Sequence, residues 1–157
     1  MRMKLSPVQL IDTFPVKILV EYNPIAPSDD VLEKTQLDIE HMSDVEVLTI
    51  NAKDGGTLNT YSLMLGLRSG DASRGIMPYS FEIIVRATIT IDSTLCKADT
   101  NINDLATKNG LTMLYGQVRE LLLSSTSRMK RGAFMLPTMS FMDATFNAPI
   151  AADSSSD

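Results

Sequence analysis

The segment Tyr79–Asp92 has the most regular alternation of apolar and polar positions in the chain. Every second residue from Tyr79 to Ile91 is apolar, and the residues between them are mostly polar or charged. Because successive side chains of a strand lie on opposite faces, this period predicts a strand with one buried and one hydrated face. Two further segments with the same period, Val16–Tyr22 and Tyr61–Leu67, predict two more strands.

The stretch Asp44–Ala52 is also rich in β-branched and aliphatic residues, but its apolar positions change phase midway. Val45 and Val47 share one parity, whereas Leu48 and Ile50 share the other. This predicts a strand that carries a bulge or is covered on both faces. Short turn-rich connections without helices separate the later strands, so we expect the four strands to form an antiparallel meander.

Helical periodicity replaces the strand period after Asn101. Ile102 and Leu105 predict a short helix, and the pair Asn109-Gly110 is typical of a helix C-terminus. We therefore expect a short first helix that ends before the next apolar run begins.

A longer helix is predicted from Leu111, because apolar residues recur three or four positions apart as far as Met129. Arg131-Gly132 predicts its end, where cations meet the negative end of the helix dipole. The expected fold class is α+β, with a four-stranded antiparallel sheet followed by a short and a long C-terminal helix.

A methionine- and phenylalanine-rich segment, Phe134–Met142, follows the predicted long helix. Pro137 interrupts it, and it is more apolar than an ordinary surface loop. We expect this segment to line a groove or cover the core. Residues 151–157 are small, polar and acidic, as in a disordered tail, which leaves residues 1–150 as a single domain.

The charge and composition of the chain exclude several classes of function. Fourteen Lys and Arg residues stand against nineteen Asp and Glu residues, for a net charge of −5 in 157 residues. Affinity for a phosphate backbone depends on clustered cations, so we expect no nucleic-acid partner. No run approaches the roughly 20 apolar residues of a membrane-spanning helix, and residues 1–7 lack the apolar core of a signal peptide. We expect a cytoplasmic protein without direct membrane insertion.

Side chains suited to catalysis or metal binding are sparse. Cys96 is the only cysteine and His41 the only histidine, so the usual zinc-ligand combinations are unavailable and we expect no metal and no cofactor. We interpret Cys96 as a buried or idle thiol, because no catalytic motif surrounds it. His41 is interpreted as a surface side chain.

Three short stretches of the C-terminal third carry a resemblance to a known family. Arg119-Glu120 resembles the end of a PYARE stretch on that family's long helix, Arg131–Phe134 resembles its RGxFP exit, and Asp143–Phe146 resembles its FDALF element. Their order and spacing behind a four-stranded antiparallel sheet resemble the SecB family of protein-export chaperones. The resemblance runs from about Tyr61 to Phe146.

The resemblance implies a homotetramer, a dimer of dimers, that holds unfolded preproteins in apolar grooves without ATP. Methionine suits such a groove because its unbranched, polarizable side chain adapts to many partners, and this chain has ten. The residues that we expect to bind clients are Phe134, Met135, Met139, Phe141, Met142 and Phe146.

Further contacts follow from the same resemblance. The edge strand would pair across a dimer and the helical region would pack dimers together, so the expected oligomer contacts are Val16, Ile18, Val20, Ile102, Leu105 and Leu114. Asp44 and Glu46 are the candidates for docking the SecA motor.

Two other functions are compatible with the sequence. A chaperone or adaptor dedicated to one client would show the same sequence features, and client breadth would distinguish it from a general holdase. A helix on an antiparallel sheet also describes hotdog-type thioesterases, for which Glu120 is the one central helix carboxylate. Because Glu120 is followed by three leucines and we expect it to pair with a cation, we do not expect an enzyme.

Overall fold

The computed structural model describes residues 5–26, 38–73 and 75–144. The fold class is α+β, as the sequence predicts, although it has one long helix where two were expected. The predicted tail at 151–157 and the candidate residue Phe146 lie outside the described residues. In chain order, the elements are β1 (Val8–Tyr22), β2 (Ile39–Lys53), β3 (Gly56–Ser69), β4 (Tyr79–Asp92) and α1 (Ile102–Thr126), with 3₁₀ turns at Asp71–Ser73 and Ser93–Leu95.

The four strands form one antiparallel sheet in the order β1-β4-β3-β2. The meander prediction holds for β2, β3 and β4, but it is wrong for β1, which pairs with β4 instead of β2. This is a Greek-key arrangement: β2, β3 and β4 are neighbours in chain order, and β1 lies beside β4, at the far end from β2. Both β1 and β2 are therefore edge strands.

The core lies between α1 and the two central strands. On β4 the alternation predicted from sequence is confirmed, because the apolar positions are buried and the intervening ones are not. The facing residues of β3 share this burial, and α1 contributes one apolar stripe. The largest fully buried side chains include Tyr61, Leu63, Leu65, Leu67, Ile83, Ile89, Ile91, Leu114 and Leu122.

Strand β1 is longer than predicted and passes through Pro15. The register between β1 and β4 shifts between Leu10 and Asp12 and again between Pro15 and Lys17. A proline without an N–H is tolerated here because β1 is an edge strand and Pro15 borders a bulge. At the other shift, the Thr88 N–H donates to the Asp12 carboxylate at 3.0 Å, so the irregularity leaves this donor satisfied.

Strand β2 carries the irregularity that its phase change predicts. Its register against β3 shifts between Val47 and Thr49, which leaves Leu48 as the extra residue. Val45 and Val47 pack against the core, whereas Leu48 and Ile50 are exposed. The predicted bulge is confirmed. Because Leu48 and Ile50 are exposed, β2 is not a strand buried on both faces.

The helix α1 runs through the predicted break at Asn109-Gly110 without interruption. Its N-terminus is capped by Asn101, whose side-chain oxygen accepts from the Asp104 N–H at 3.1 Å. The helix does not end at Gly110. This glycine lies where the helix approaches the sheet closely, and a Cβ there would lie 2.2 Å from Cδ2 of Leu63. The glycine is required by helix–sheet packing, and this explains why the two-helix prediction is wrong.

Candidate binding surface

The chain leaves α1 earlier than predicted, at Thr126 instead of near Arg131. Hydroxyl groups in the last turn bond to carbonyl oxygens of that turn: Thr126 Oγ1 donates to Leu122 O at 2.8 Å and Ser127 Oγ to Ser124 O at 2.8 Å. Such side-chain bonds compete with continuation of the helix. Gly132 then adopts a φ of 77°, which turns the chain back.

Residues 132–142, which we call the strap, follow this turn and form neither helix nor strand. Two hydrogen bonds fix its first part. The Tyr79 hydroxyl donates to Gly132 O at 2.8 Å, and the Phe134 N–H donates to Thr126 Oγ1 at 2.8 Å. The strap is thus tied to both the start of β4 and the end of α1.

Two side chains of α1 hold the middle of the strap. Arg119 Nε donates to Leu136 O at 3.1 Å, and the Tyr115 hydroxyl donates to Pro137 O. Burial raises the pKa of the Tyr115 phenol, which is the donor in the second of these bonds. Both bonds reach main-chain oxygens, so they position the strap without using any of its side chains.

Three apolar side chains of the strap point back into the protein. Leu136 is 1% exposed and belongs to the core. The Phe134 ring lies edge-on to Tyr79 with centroids 6.2 Å apart, and the Phe141 ring lies edge-on to Tyr115 at 5.7 Å. Such pairs are favourable for aromatic rings and add to the burial of apolar area.

The strap methionines have the opposite placement. Met135, Met139 and Met142 are exposed by 57%, 39% and 69%, respectively. The structure therefore divides the predicted client-binding set. Phe134 and Phe141 are partly buried anchors, and the three methionines form the solvent-exposed side of the strap. Their thioethers are free of the contacts that hold the strap.

The residues that hold the strap are not among the predicted site residues. Tyr79 belongs to the predicted buried face of β4, Tyr115 and Arg119 belong only to the stretch that resembles the family motif, and Leu136 is one residue of the apolar segment. A usable signal existed in the hydroxyls, since a buried tyrosine normally has a hydrogen-bond partner. Those donors had no predicted partner within their own elements.

The predicted oligomer contacts on β1 differ in accessibility. Val16 and Ile18 are exposed, and they lie among several exposed apolar residues on this edge strand. Val20 is partly buried and packs against the core. The first two therefore present surface to another chain, while Val20 offers less.

The predicted oligomer contacts on α1 face the interior of this chain. Leu114 is 0% exposed, so its assignment as a subunit contact is wrong: the residue is already covered by the sheet. Ile102 and Leu105 are partly buried against the same core. The helical stripe to which the resemblance assigns an interface is the stripe by which α1 packs on β3 and β4.

Asp44 and Glu46 are exposed on β2. Their partners across the ladder are Met64 and Ser62, on the face of the sheet that does not carry α1. The two carboxylates thus share one face of an edge strand.

The groups considered for catalysis are dispersed. Cys96 is half-buried with its Sγ 3.6 Å from Asp92 O, and burial, with a smaller effect of the Asp92 charge, raises the pKa of its thiol. His41 lies exposed on β2 and Glu120 exposed on α1. Within residues 5–26, 38–73 and 75–144, no three His, Cys, Asp or Glu side chains converge as a metal site.

No helix in the described part of the chain combines the length and apolar character needed to cross a bilayer.

Comparison with known proteins gives structural matches only. No protein-family model and no curated protein matches the chain. A protein of unknown function from Streptococcus agalactiae matches with a TM-score of 0.54 and 12% identity, covering 83% of this chain and 97% of that one. The SecB-like chaperone Rv1957 of Mycobacterium tuberculosis, solved with a ChAD peptide from the Rv1956 HigA1 antitoxin, matches with a TM-score of 0.43 and 15% identity over 85% and 91%. The first similarity shows a shared fold.

Proposed function

We propose that this chain is a cytoplasmic, ATP-independent holdase of the SecB type that binds unfolded polypeptides through the strap. The observation that carries the proposal is the division of the strap into buried anchors and exposed methionines. The buried Leu136 and four hydrogen bonds fix the segment; the strap's backbone accepts three of these bonds and donates one. Met135, Met139 and Met142 face solvent. An apolar segment held in place with its thioethers outward is suited to binding.

Methionine fits a binder of many sequences for a physical reason. Its three rotatable side-chain bonds and polarizable sulfur let it pack around different apolar groups at low strain. The fixed backbone of the strap limits the ordering cost on binding to the methionine side chains themselves. The surface is therefore adaptable in its side chains and preorganised in its main chain.

The net charge supports the same function. At −5 per chain, copies repel one another, which opposes aggregation of a protein that exposes apolar side chains. No nucleotide, metal or cofactor is part of this proposal, and neither is catalysis.

The proposal includes a homotetramer built first through β1. This edge strand exposes Ile11, Phe14, Val16 and Ile18, and an unpaired apolar edge is stabilised when it pairs with another chain. The core already covers Leu114, so the second contact of the tetramer has to use other residues.

Coupling to the SecA motor is a separate part of the proposal and is assigned to Asp44 and Glu46. Replacing both by lysine reverses two charges on one exposed face of β2. We expect this variant to lose SecA in a pull-down and to keep full client binding. Undiminished SecA capture would remove these residues from the proposal.

The function is tested by size exclusion coupled to light scattering, with the protein alone and with a reduced, permanently unfolded model protein. We expect a mass near four chains that takes up the client and suppresses its aggregation without nucleotide. A monomer that ignores the unfolded protein would contradict the proposal. Competition by many unrelated unfolded proteins supports a general holdase, and one tight partner supports a dedicated chaperone.

The location of the site is tested by polar replacements of similar shape. Met135→Gln, Met139→Gln and Met142→Gln together are expected to weaken client affinity by about tenfold or more, because each binding contact then desolvates an amide. The matched control is Met42→Gln with Met113→Gln, two exposed methionines outside the strap. We expect the control to bind like the parent, and equal losses in both would place the site elsewhere.

A further inference from the structure

The methionines of the described chain fall into three environments. Met77 is buried at 2% exposure and Met64 and Met129 are partly buried, whereas Met42 and Met113 are exposed at 45% and 37% on the sheet and helix. The third environment is the strap, where three exposed thioethers lie within eight consecutive positions. This concentration has a chemical consequence beyond binding, because a thioether is the most readily oxidised apolar side chain that a protein can expose.

We propose that Met135, Met139 and Met142 form a modification site at which hydroperoxides reversibly switch off polypeptide binding. The inference rests on the proposed function, since it concerns the same surface. Oxidation would replace an apolar sulfur by a polar, chiral sulfoxide where an apolar client segment has to pack. Binding the client would then require removing water from three sulfoxide oxygens.

The reaction is a two-electron oxygen transfer from a hydroperoxide, ROOH. A sulfur lone pair attacks the terminal peroxide oxygen, so that an S–O bond forms as the O–O bond breaks. The sulfur is oxidised by two electrons, and the peroxide is reduced to ROH after its proton moves to the leaving oxygen. Methionine sulfoxide reductases of both stereospecificities reverse the change.

The way in which the strap is held separates this switch from unfolding. Its anchors are phenol and guanidinium donors to main-chain oxygens, together with the buried Leu136. None of these groups contains a thioether. Oxidation of the three methionines therefore changes the exposed surface while the strap stays in place.

Cys96 does not supply an alternative switch of the same kind. Its thiol is half-buried and burial raises its pKa, so the reactive thiolate is scarce at neutral pH. The experiment nevertheless includes a thiol reductant after peroxide treatment, which reverses sulfenic acid or disulfide but leaves methionine sulfoxide intact.

The test uses the full chain treated with hydrogen peroxide, with peptide mass spectrometry to locate sulfoxides and fluorescence anisotropy to measure affinity for a labelled unfolded client. Two variants accompany it. In one, Met135→Leu, Met139→Leu and Met142→Leu keep the strap apolar but resistant to oxidation. In the other, Met42→Leu and Met113→Leu remove exposed thioethers elsewhere.

We expect peroxide to weaken client binding by about tenfold in the parent and in the Met42/Met113 variant, with an unchanged circular dichroism spectrum. The strap leucine variant should keep its affinity, and the two reductases should restore the parent. The inference is overturned if strap sulfoxides leave the affinity unchanged, or if the strap leucine variant loses affinity equally. Absence of client binding before peroxide would instead overturn the proposed function itself.

Discussion

Strand β4 and the strap are both rich in large apolar residues, but the protein uses them in opposite ways. In β4 every apolar side chain except Ile84 lies on one face, and that face is buried in the core. In the strap, Leu136 is buried while its neighbour Met135 and the later Met139 are exposed. Apolar composition alone does not distinguish a core element from a binding surface. The spacing of apolar residues and the partners of the backbone do.

The difference extends to how each backbone is satisfied. β4 has ladder partners on both sides, in β1 and β3. The strap has no ladder, and its main chain bonds to side chains of β4 and α1, such as Tyr79 and Arg119. A ladder fixes a segment by repetition, whereas the strap depends on a few particular side chains, and this makes it separately adjustable by mutation.

The largest expected effect comes from β4. Ile83→Ala removes a fully buried side chain at the centre of the sheet and is expected to lower the free energy of unfolding by about 2–5 kcal/mol. Met139→Ala in the strap should change it by less than about 0.5 kcal/mol. Urea denaturation measures both, and similar losses in the two variants would contradict the contrast.

Next in size is the anchor of the strap. Leu136→Ala leaves a cavity beneath the strap and is expected to cost about 2 kcal/mol, at the lower end of the range for buried leucine because the segment is able to shift. Limited proteolysis after Lys130 or Arg131 should accelerate at the same time. The neighbouring Met135→Ala is the control, and equal proteolysis in both variants would show that Leu136 is not the anchor.

Two glycines of α1 test the close approach of helix and sheet. Gly110→Val forces atoms into the space of the buried Leu63 and is expected to destabilise by about 1–3 kcal/mol. Gly116→Ala meets no atom within 4 Å and should stabilise by roughly 0.5–1 kcal/mol through helix propensity. Thermal melts of both variants give the sign, and a stabilising Gly110→Val would refute the packing account.

The smallest effect concerns one hydrogen bond of the strap. Tyr115→Phe keeps the ring against Phe141 but removes the donor to Pro137 O, at a cost of about 1 kcal/mol. Hydrogen exchange should increase locally at strap amides such as that of Phe134, and remain unchanged in β4. Faster exchange throughout β4 would mean that the hydroxyl supports the whole core.

Much of the fold could be predicted from local pattern. The bounds of β4 follow from its period of two, and the bulge at Leu48 follows from the phase change in β2. The position of β1 beside β4 could not be predicted in this way, because strand order depends on contacts distant in sequence. Asn109-Gly110 misled for a related reason: only the approach of Leu63 shows that the glycine serves packing.

The candidate surface was predictable as a segment but not residue by residue. Its apolar composition and Pro137 indicate an irregular covering or lining segment. Which side chains are anchors depends on where Tyr79 and Tyr115 place their hydroxyls in the folded protein, and local sequence does not contain that information. The same limit applies to Leu114, which the family resemblance assigns to an interface: a buried helix stripe and an interface stripe have the same period, so the sequence pattern could not correct that assignment.

The central claim is that unfolded polypeptide contacts the exposed thioether side of the strap. The most direct measurement is photo-crosslinking with benzoylphenylalanine placed, one position at a time, at Met135, Met139 and Met142, with Met42 and Met113 as exposed controls. The account predicts crosslinks to a reduced unfolded client from the three strap positions and none above background from the controls. A client complex that forms normally but crosslinks only from the control positions would contradict it.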